Sequence, residues 1–302
     1  MNEVQNKIQE LRGELKSLFK ERDEEIDGLL VAMLSRHHIL LIGPRGTAKS
    51  LMIRTLASAI TGAKYWERLL TRFSTPEEIF GTIKLSALKH DKFERHIEGH
   101  LPTANFGFCD EVFKGNSSIL NCLLTLINER LFHNDGDALK CPLETLMGAS
   151  NELPSDESLN ALYDRFLMRY KLQYIEEDSA FRDMLTMPEP TAGVQLSFDE
   201  LHDAQKTVSD MSVPDSVLDA IIEIRKQLKK EGIIPSDRRY RDAQKVIRAY
   251  AYLQGKSQVS TDDLTILTHV LWDEPTHISI VERVVVQVSN PLQRTAAVSY
   301  TH

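Results

Sequence analysis

A chain of 302 residues, 42% hydrophobic and 26% charged, has the composition of a soluble globular protein long enough for a large α/β core and a second, smaller domain. Its 36 basic and 44 acidic residues leave a net charge of −8, which excludes bulk electrostatic attraction to nucleic acid or to an anionic membrane surface. No apolar run approaches the roughly 18 residues of a membrane span. The polar N-terminus lacks a signal-peptide core, and Cys109, Cys122 and Cys141 lack metal-ligand spacing; together these predict a cytoplasmic protein with reduced thiols.

Residues from about 3 to 36 read as helix, broken near Leu18-Phe19-Lys20, with Ile26, Leu29, Leu30, Met33 and Leu34 at helical spacing. The apolar run His38-Ile-Leu-Leu-Ile42 then reads as a buried strand, and Leu51 to Ile60 as a helix. Between them lies Gly43-Pro-Arg-Gly-Thr-Ala-Lys-Ser50. A strand feeding a Gly-rich turn at a helix N-terminus is a phosphate cradle: backbone N–H groups surround phosphate oxygens, Lys49 reaches the β- and γ-phosphates, and the Ser50 hydroxyl ligates Mg²⁺. The expected nucleotide contacts are Gly43, Pro44, Arg45, Gly46, Thr47, Ala48, Lys49, Ser50 and Leu51. Ala48 stands where glycine usually precedes the lysine, so the turn is expected to hold backbone angles that a Cβ tolerates.

Tyr65 to Leu70 resembles a strand, and Ser74-Thr-Pro-Glu-Glu78 opens a short helix. Residues 83–101, with a Lys89-His90-Asp91-Lys92 turn, predict an inserted hairpin. Asn105-Phe-Gly-Phe-Cys-Asp110-Glu111 is a strand ending in two acids. Beside a phosphate loop, Asp110 would hold the Mg²⁺ shell while Glu111 polarises the attacking water. Ser117 to Asn128 has helical spacing, and Asn134-Asp-Gly-Asp137 is a compact turn between two strand-like arms, a second hairpin. Strands at Thr145–Ser150 and Phe166–Leu172 complete a predicted five-stranded parallel sheet. Pro188, Pro190 and Gly193 mark a linker, and four helical stretches, at 198–211, 213–230, 237–253 and 261–272, predict a small bundle. The expected domains are therefore 1–187, 188–275 and a C-terminal extension, 276–302, that is fraying or continued in a longer protein.

With these parts in line, the chain resembles an AAA+ ATPase of the MoxR group and, within it, the RavA subfamily. Beyond the phosphate loop with its Ala48, the resemblance is carried by Thr71-Arg-Phe-Ser-Thr-Pro-Glu-Glu78, Leu124-Thr-Leu-Ile-Asn-Glu-Arg130, Ala149-Ser-Asn-Glu-Leu-Pro154, Leu162-Tyr-Asp-Arg-Phe166 and Ser236-Asp-Arg-Arg239. It implies an AAA+ P-loop core with two inserted β-hairpins, followed by an all-helical lid. It also implies a remodelling or chaperone-like ATPase that hydrolyses ATP to ADP with Mg²⁺. Such an ATPase works as a homohexameric ring, is often partnered by a von Willebrand factor A domain protein, and acts on client proteins in assembly or cofactor maturation.

By the same resemblance Asn151 orients the water with Glu111, Arg165 reaches the γ-phosphate of the neighbouring subunit, and Arg238, rather than adjacent Arg239, senses the γ-phosphate from the lid. Phe19 is read either as an adenine-packing side chain or as plain core. Arg72 and Arg130 are candidates to act across an interface or to make surface pairs. His96, His100 and His133 lack ligand spacing and carry no metal site. Two competing readings are a nucleotide-gated scaffold with little turnover and a nucleic-acid motor of the helicase branch. The full hydrolytic set argues against the first. The charge, and hairpins with few basic residues beyond Lys89, Lys92 and Lys140, argue against the second.

Overall fold

The structure is a computed structural model that describes residues 3–154 and 156–289; the end of the expected C-terminal extension, 290–302, lies outside them. The chain forms two compact units, one of residues 11–29 and 36–198, the other of residues 3–10, 30–35 and 199–289. Among the described residues no helix is long and apolar enough to cross a membrane.

In chain order the first unit contains the second half of α1 (Glu3–Leu18) and the first half of α2 (Asp23–Ser35), then β1 (Ile39–Ile42), α3 (Lys49–Ser58), β2 (Ile60–Thr61) and β3 (Tyr65–Leu69). Next come α4 (Pro76–Phe80), α5 (Leu85–Leu88), β4 (Phe106–Asp110), α6 (Ser117–Glu129), β5 (Leu131–Asn134) and β6 (Asp137–Lys140). The unit closes with β7 (Thr145–Ser150), α7 (Glu157–Arg165), β8 (Met168–Lys171), α8 (Asp178–Thr186) and β9 (Leu196–Ser197). Five strands form a wholly parallel sheet in the order β3-β4-β7-β1-β8. All four residues of β1 and all six of β7 are buried, because helices cover both faces of such a sheet and leave no polar side to alternate toward. Gly28, inside α2, lets that helix meet β8: a Cβ there would collide with the Tyr170 ring.

The two insertions differ in form. The second is a hairpin, with β5 and β6 antiparallel around Asp135 and Gly136, both at positive φ, the twist-matched two-residue turn that Asp-Gly favours. The first is not built of two strands, as the sequence pattern led us to expect. Its arms meet at a single antiparallel bridge, Ile83 with Arg95, and Leu85–Leu88 turns into the short helix α5. The pairing between the arms, His96 N to Thr82 O and Lys84 N to Glu94 O (each 2.8 Å), stops where Leu85 turns into α5. On its other edge the returning arm is held to the second insertion: Phe93 N donates to Asp135 Oδ1 (2.9 Å) and Arg95 N to Asn134 Oδ1 (2.7 Å).

The second unit contains α9 (Phe198–Asp210), α10 (Asp215–Lys230), α11 (Asp237–Leu253), a 3₁₀ stretch at Thr261–His269 and α12 (Ile278–Ser289). Val281, Val284 and Val285 of α12 are buried, so this segment is part of the bundle and not an appendage to it. Trp272, Tyr252, Leu264 and Leu267 lie in the same core. Gln5 on the first turns of α1 donates to Tyr252 O (2.9 Å), which is why the start of the chain belongs here. The proline-rich stretch expected as the linker is held by the first unit: the Glu14 carboxylate accepts from Gly193 N (2.6 Å) and Val194 N (2.8 Å), and β9 pairs in parallel with β2. The stretch 188–198 therefore packs with the first unit, and the second unit resumes at Asp199.

Candidate functional site

At the C-terminal end of β1 the chain turns through residues 43–50 into α3. Gly43 has no room for a side chain, since a Cβ would stand 2.6 Å from Leu172 O, and Gly46 sits at φ +81°. Ala48 was expected to hold backbone angles that a Cβ tolerates, and it does so at a cost. It lies at φ 62°, ψ 17°, in the left-handed region, as the N-cap of α3 with no side-chain cap. The turn keeps the geometry that a glycine would adopt there and places a strained alanine in it.

Lys49 is buried, and its ammonium donates to Gly43 O (2.7 Å) and Pro44 O (2.8 Å), with Thr47 Oγ1 at 3.3 Å and Asn151 Oδ1 at 3.4 Å. Burial lowers its pKa from the usual lysine value, opposed by the charges of Asp110 and Glu111, with Arg22 adding to the depression. Ser50 Oγ donates to Asp110 Oδ2 (3.3 Å) at the tip of β4, and Asp110 Oδ1 accepts from Glu111 N (3.0 Å). Glu111 has φ 51° and is 9% exposed. Its Oε1 accepts from Asn151 Nδ2 at the end of β7, and its Oε2 pairs with Lys114 Nζ at 3.2 Å. Parallel register explains the convergence: β1, β7 and β4 end on the same edge of the sheet, so the loop lysine, the amide and the two acids face one chamber. That chamber, about 640 Å³, is lined by residues 45–51, Asp110, Glu111, Lys114 and Asn151. Two hard oxygen donors at 3.3 Å fit a Mg²⁺ ion that takes its remaining ligands from water and phosphate. Among the described residues no group of three or more His, Cys, Asp or Glu side chains is placed to hold a metal by itself.

A second chamber, about 480 Å³, shares Gly46, Thr47, Ala48 and Leu51 with the first. Its walls are apolar: Leu18, Phe19, Tyr174, Phe181, Met184 and Met187 are the large ones. Phe19 is both 5% exposed and a lining residue, so the two readings of it coincide. A polar chamber opening from the phosphate loop beside an apolar one of this size fits a nucleoside triphosphate, with phosphates in the first and the base in the second. Sequence reasoning missed the far wall. Phe181, Met184 and Leu185, at i, i+3 and i+4 after the acidic start Glu177-Asp178, were the available signal of an amphipathic helix there.

Arg72 and Arg165 are not among the residues that line the polar chamber. Arg165, the last residue of α7, has Nη1 3.6 Å from Asp164 Oδ2 and a buried Nε with no hydrogen-bond partner. Arg72 lines a neighbouring cleft with Glu111, Phe113, Lys114 and Asn116. Arg130 is no interface candidate. Its Nη2 donates to Arg36 O (2.9 Å) and Glu144 O (3.0 Å), and burial, followed by the charge of Arg36, lowers its pKa to about 10. In the lid unit Arg239 is 3% exposed, with Nη1 donating to Val270 O (2.8 Å), whereas Arg238 is half-exposed.

A phosphate loop on a central strand of a five-stranded parallel sheet, acids on the strand two places away and a helical lid define an AAA+ α/β fold. The comparisons make this specific. Residues 6–211 match the family described as the MoxR domain in the MoxR-vWA-beta-propeller ternary systems, and residues 216–285 match an AAA lid domain. The chain belongs to the MoxR family of AAA+ ATPases. An uncharacterized protein of Methanocaldococcus jannaschii is 41% identical over 96% of this chain and 76% of its own length. The chaperone MoxR1 of Mycobacterium tuberculosis is 25% identical over 70% of this chain and 56% of its own. A crystal structure of a candidate ATPase from Cytophaga hutchinsonii superposes with a TM-score of 0.74 at 19% identity, covering 93% of this chain and 94% of that one, a likeness of fold.

Proposed function

We propose that this chain is a Mg²⁺-dependent ATPase of chaperone type that turns over ATP as a ring, with each active site completed by the adjacent subunit. The observation that carries the catalytic part is the carboxylate of Glu111, held from both sides by Asn151 and Lys114 in the chamber shared with Lys49. Backbone N–H groups of residues 45–50 and the Lys49 ammonium bind and orient the phosphates. Ser50 and Asp110 would hold Mg²⁺, which when bound neutralises charge on the phosphate oxygens. Glu111 accepts the proton of the water that attacks the γ-phosphate, and Asn151 fixes the carboxylate and the water relative to each other. Phe19, Met184 and Phe181 enclose the base.

Arg165 supplies the trans contact in this reading. Its support is the family resemblance and a partly exposed guanidinium at the end of α7 whose Nη1 lies 3.6 Å from Asp164 Oδ2. Arg239 is committed to the lid core, which leaves Arg238 as the lid arginine proposed to sense nucleotide. The family description names vWA and beta-propeller components, so a von Willebrand factor A domain protein is the proposed partner, with a protein client to be remodelled. The resemblance to the RavA branch and the hexameric ring belong to the same proposal. Phosphate release measured against protein concentration tests it, with Arg165→Ala and Glu111→Gln chains assayed singly and mixed. Turnover per subunit should rise with concentration, and the two inactive variants should partly restore activity when mixed. Flat specific activity with no restoration would leave a site complete within one chain or a nucleotide-binding scaffold.

A further inference from the structure

The far wall of the apolar chamber is formed by residues 174–190, including α8. No residue of α8 is buried, although Phe181 and Met184 line the chamber, so apolar packing alone does not fix where this strap lies. Its attachment is polar and comes from three consecutive residues at the break between α1 and α2. Lys20 Nζ pairs with Asp183 Oδ2 at 3.2 Å. The two carboxylate oxygens of Glu21 accept from Glu176 N and Glu177 N, each at 2.9 Å, just before the first turn of α8. Arg22, 6% exposed, donates from Nη2 to Gln173 O (2.7 Å) and from Nε to Thr47 O (3.4 Å) in the phosphate loop.

Glu21 itself is held at φ 53°, a left-handed conformation that costs free energy in a residue with a Cβ and persists only where surrounding contacts enforce it. Its carboxyl is kept below the usual glutamate pKa, first by the bonds from Glu176 N and Glu177 N. One guanidinium and one carboxylate, adjacent in sequence, therefore tie the strap to the loop that both chambers share.

We infer that Glu21 and Arg22 are positioning residues for the nucleoside: a clasp that sets the distance between the phosphate loop and the base-covering strap without touching the phosphates. This rests on the nucleotide reading above. The clasp should matter for ligands that carry a base and little for those that do not. ATP, ADP and inorganic tripolyphosphate binding to the full chain, measured by titration calorimetry with Mg²⁺, separates the cases. Glu21→Gln turns one accepting oxygen into a donor facing an N–H, and about tenfold weaker ATP and ADP binding is expected, with tripolyphosphate changed less than about twofold. Glu21→Gly relieves the left-handed backbone but removes the carboxylate, and it should weaken ATP as Glu21→Gln does. Arg22→Lys keeps a cation and loses the fork, so it should fall between wild type and Arg22→Met.

Amide exchange gives a readout independent of ligand. Glu176 and Glu177 should exchange faster in Glu21→Gln, while β1 and β7 stay protected. The inference is overturned if ATP and tripolyphosphate weaken equally, if Glu21→Gly binds ATP as wild type does, or if the strap amides exchange unchanged. Wild-type chain that binds neither probe would overturn the nucleotide reading itself, a result distinct from all three.

Discussion

Ala48→Gly should stabilise the protein, although it removes a methyl group and adds chain entropy. A left-handed residue with a Cβ costs about 1–2 kcal/mol relative to glycine, because the Cβ crowds the following carbonyl oxygen. Against this, glycine gives the unfolded chain more freedom, worth about 0.4–1 kcal/mol. Ala48 has φ 62° and no side-chain capping bond to lose, so the two terms leave a net gain of about 0.5–1 kcal/mol. Urea unfolding should show a higher midpoint with an unchanged slope, and thermal unfolding a midpoint about 1–4 °C higher. Ala48→Val sharpens the test: a β-branched residue is a poorer occupant of the left-handed region and should destabilise by more than about 1 kcal/mol. A lower midpoint for Ala48→Gly would refute the reasoning, since it would mean that residue 48 is not left-handed or that its methyl group packs in a way the backbone argument omits.

Glu111→Gln should cut ATP turnover by about 10²–10⁴-fold in a phosphate-release assay while calorimetry still shows Mg·ATP binding. Gly43→Ala should cost about 1–3 kcal/mol in urea unfolding, because the added Cβ meets the rigid carbonyl of Leu172 at 2.6 Å. Gly28→Ala should also destabilise, by about 1–2 kcal/mol in the same assay: collision with Tyr170 outweighs the gain in helix propensity of about 1 kcal/mol. Two histidines, His38 buried and His269 half-buried, set an acid dependence. His38 Nδ1 accepts from Leu146 N (2.9 Å) and Nε2 faces Ile127 O (3.1 Å), and burial holds its pKa well below the usual 6.5. Burial lowers that of His269 to about 4. Below about pH 6.5 the unfolded chain binds protons that the folded chain refuses, so each histidine should subtract about 1.4 kcal/mol of stability per pH unit as pH falls, and nothing above about pH 7. Urea midpoints between pH 5 and 8 check this, and His38→Gln should flatten the share that belongs to the sheet unit.

What the sequence made legible was whatever a local pattern can encode. The run Ile39–Ile42 before the glycine-rich turn, the acids that end Phe106–Asp110 and the Asp-Gly turn between β5 and β6 each declare themselves within a dozen residues. Asn151 was found only by family resemblance, since an asparagine after a strand has no pattern of its own. Contacts between residues far apart in sequence were out of reach. Nothing near Glu21 announces that its carboxylate bonds backbone more than 150 residues away. Arg130 looked like an exposed helix-end arginine because its acceptors, Arg36 O and Glu144 O, come from separate segments of the chain. The first insertion reads as a hairpin, yet its pairing stops at Ile83 and Arg95, where the chain turns into α5. At Ala48 residue identity limited the loop to angles that a Cβ tolerates but did not say which, and the demands of the loop chose the left-handed region.

Left-handed residues other than glycine link these observations. Of the seven among the described residues, Ala48 and Glu111 line the two chambers, and Glu21 stands between Lys20 and Arg22, which line the apolar one. Each stands where the chain must reverse sharply and still present a group. Ala48 starts α3 so that the N–H groups of its first turn face the phosphate chamber, Glu111 leaves β4 with its carboxylate directed at Asn151, and Glu21 breaks α1 from α2 so that its carboxylate reaches the strap. Strain of this kind persists only if neighbouring contacts hold it, and at Glu21 and Glu111 the holding contacts are the ones assigned to nucleotide binding and hydrolysis. Ala48 has no such side-chain contact. Relieving its strain should therefore raise stability with little change in ATP affinity, whereas relieving it at Glu21 or Glu111 by substituting glycine should cost affinity or turnover.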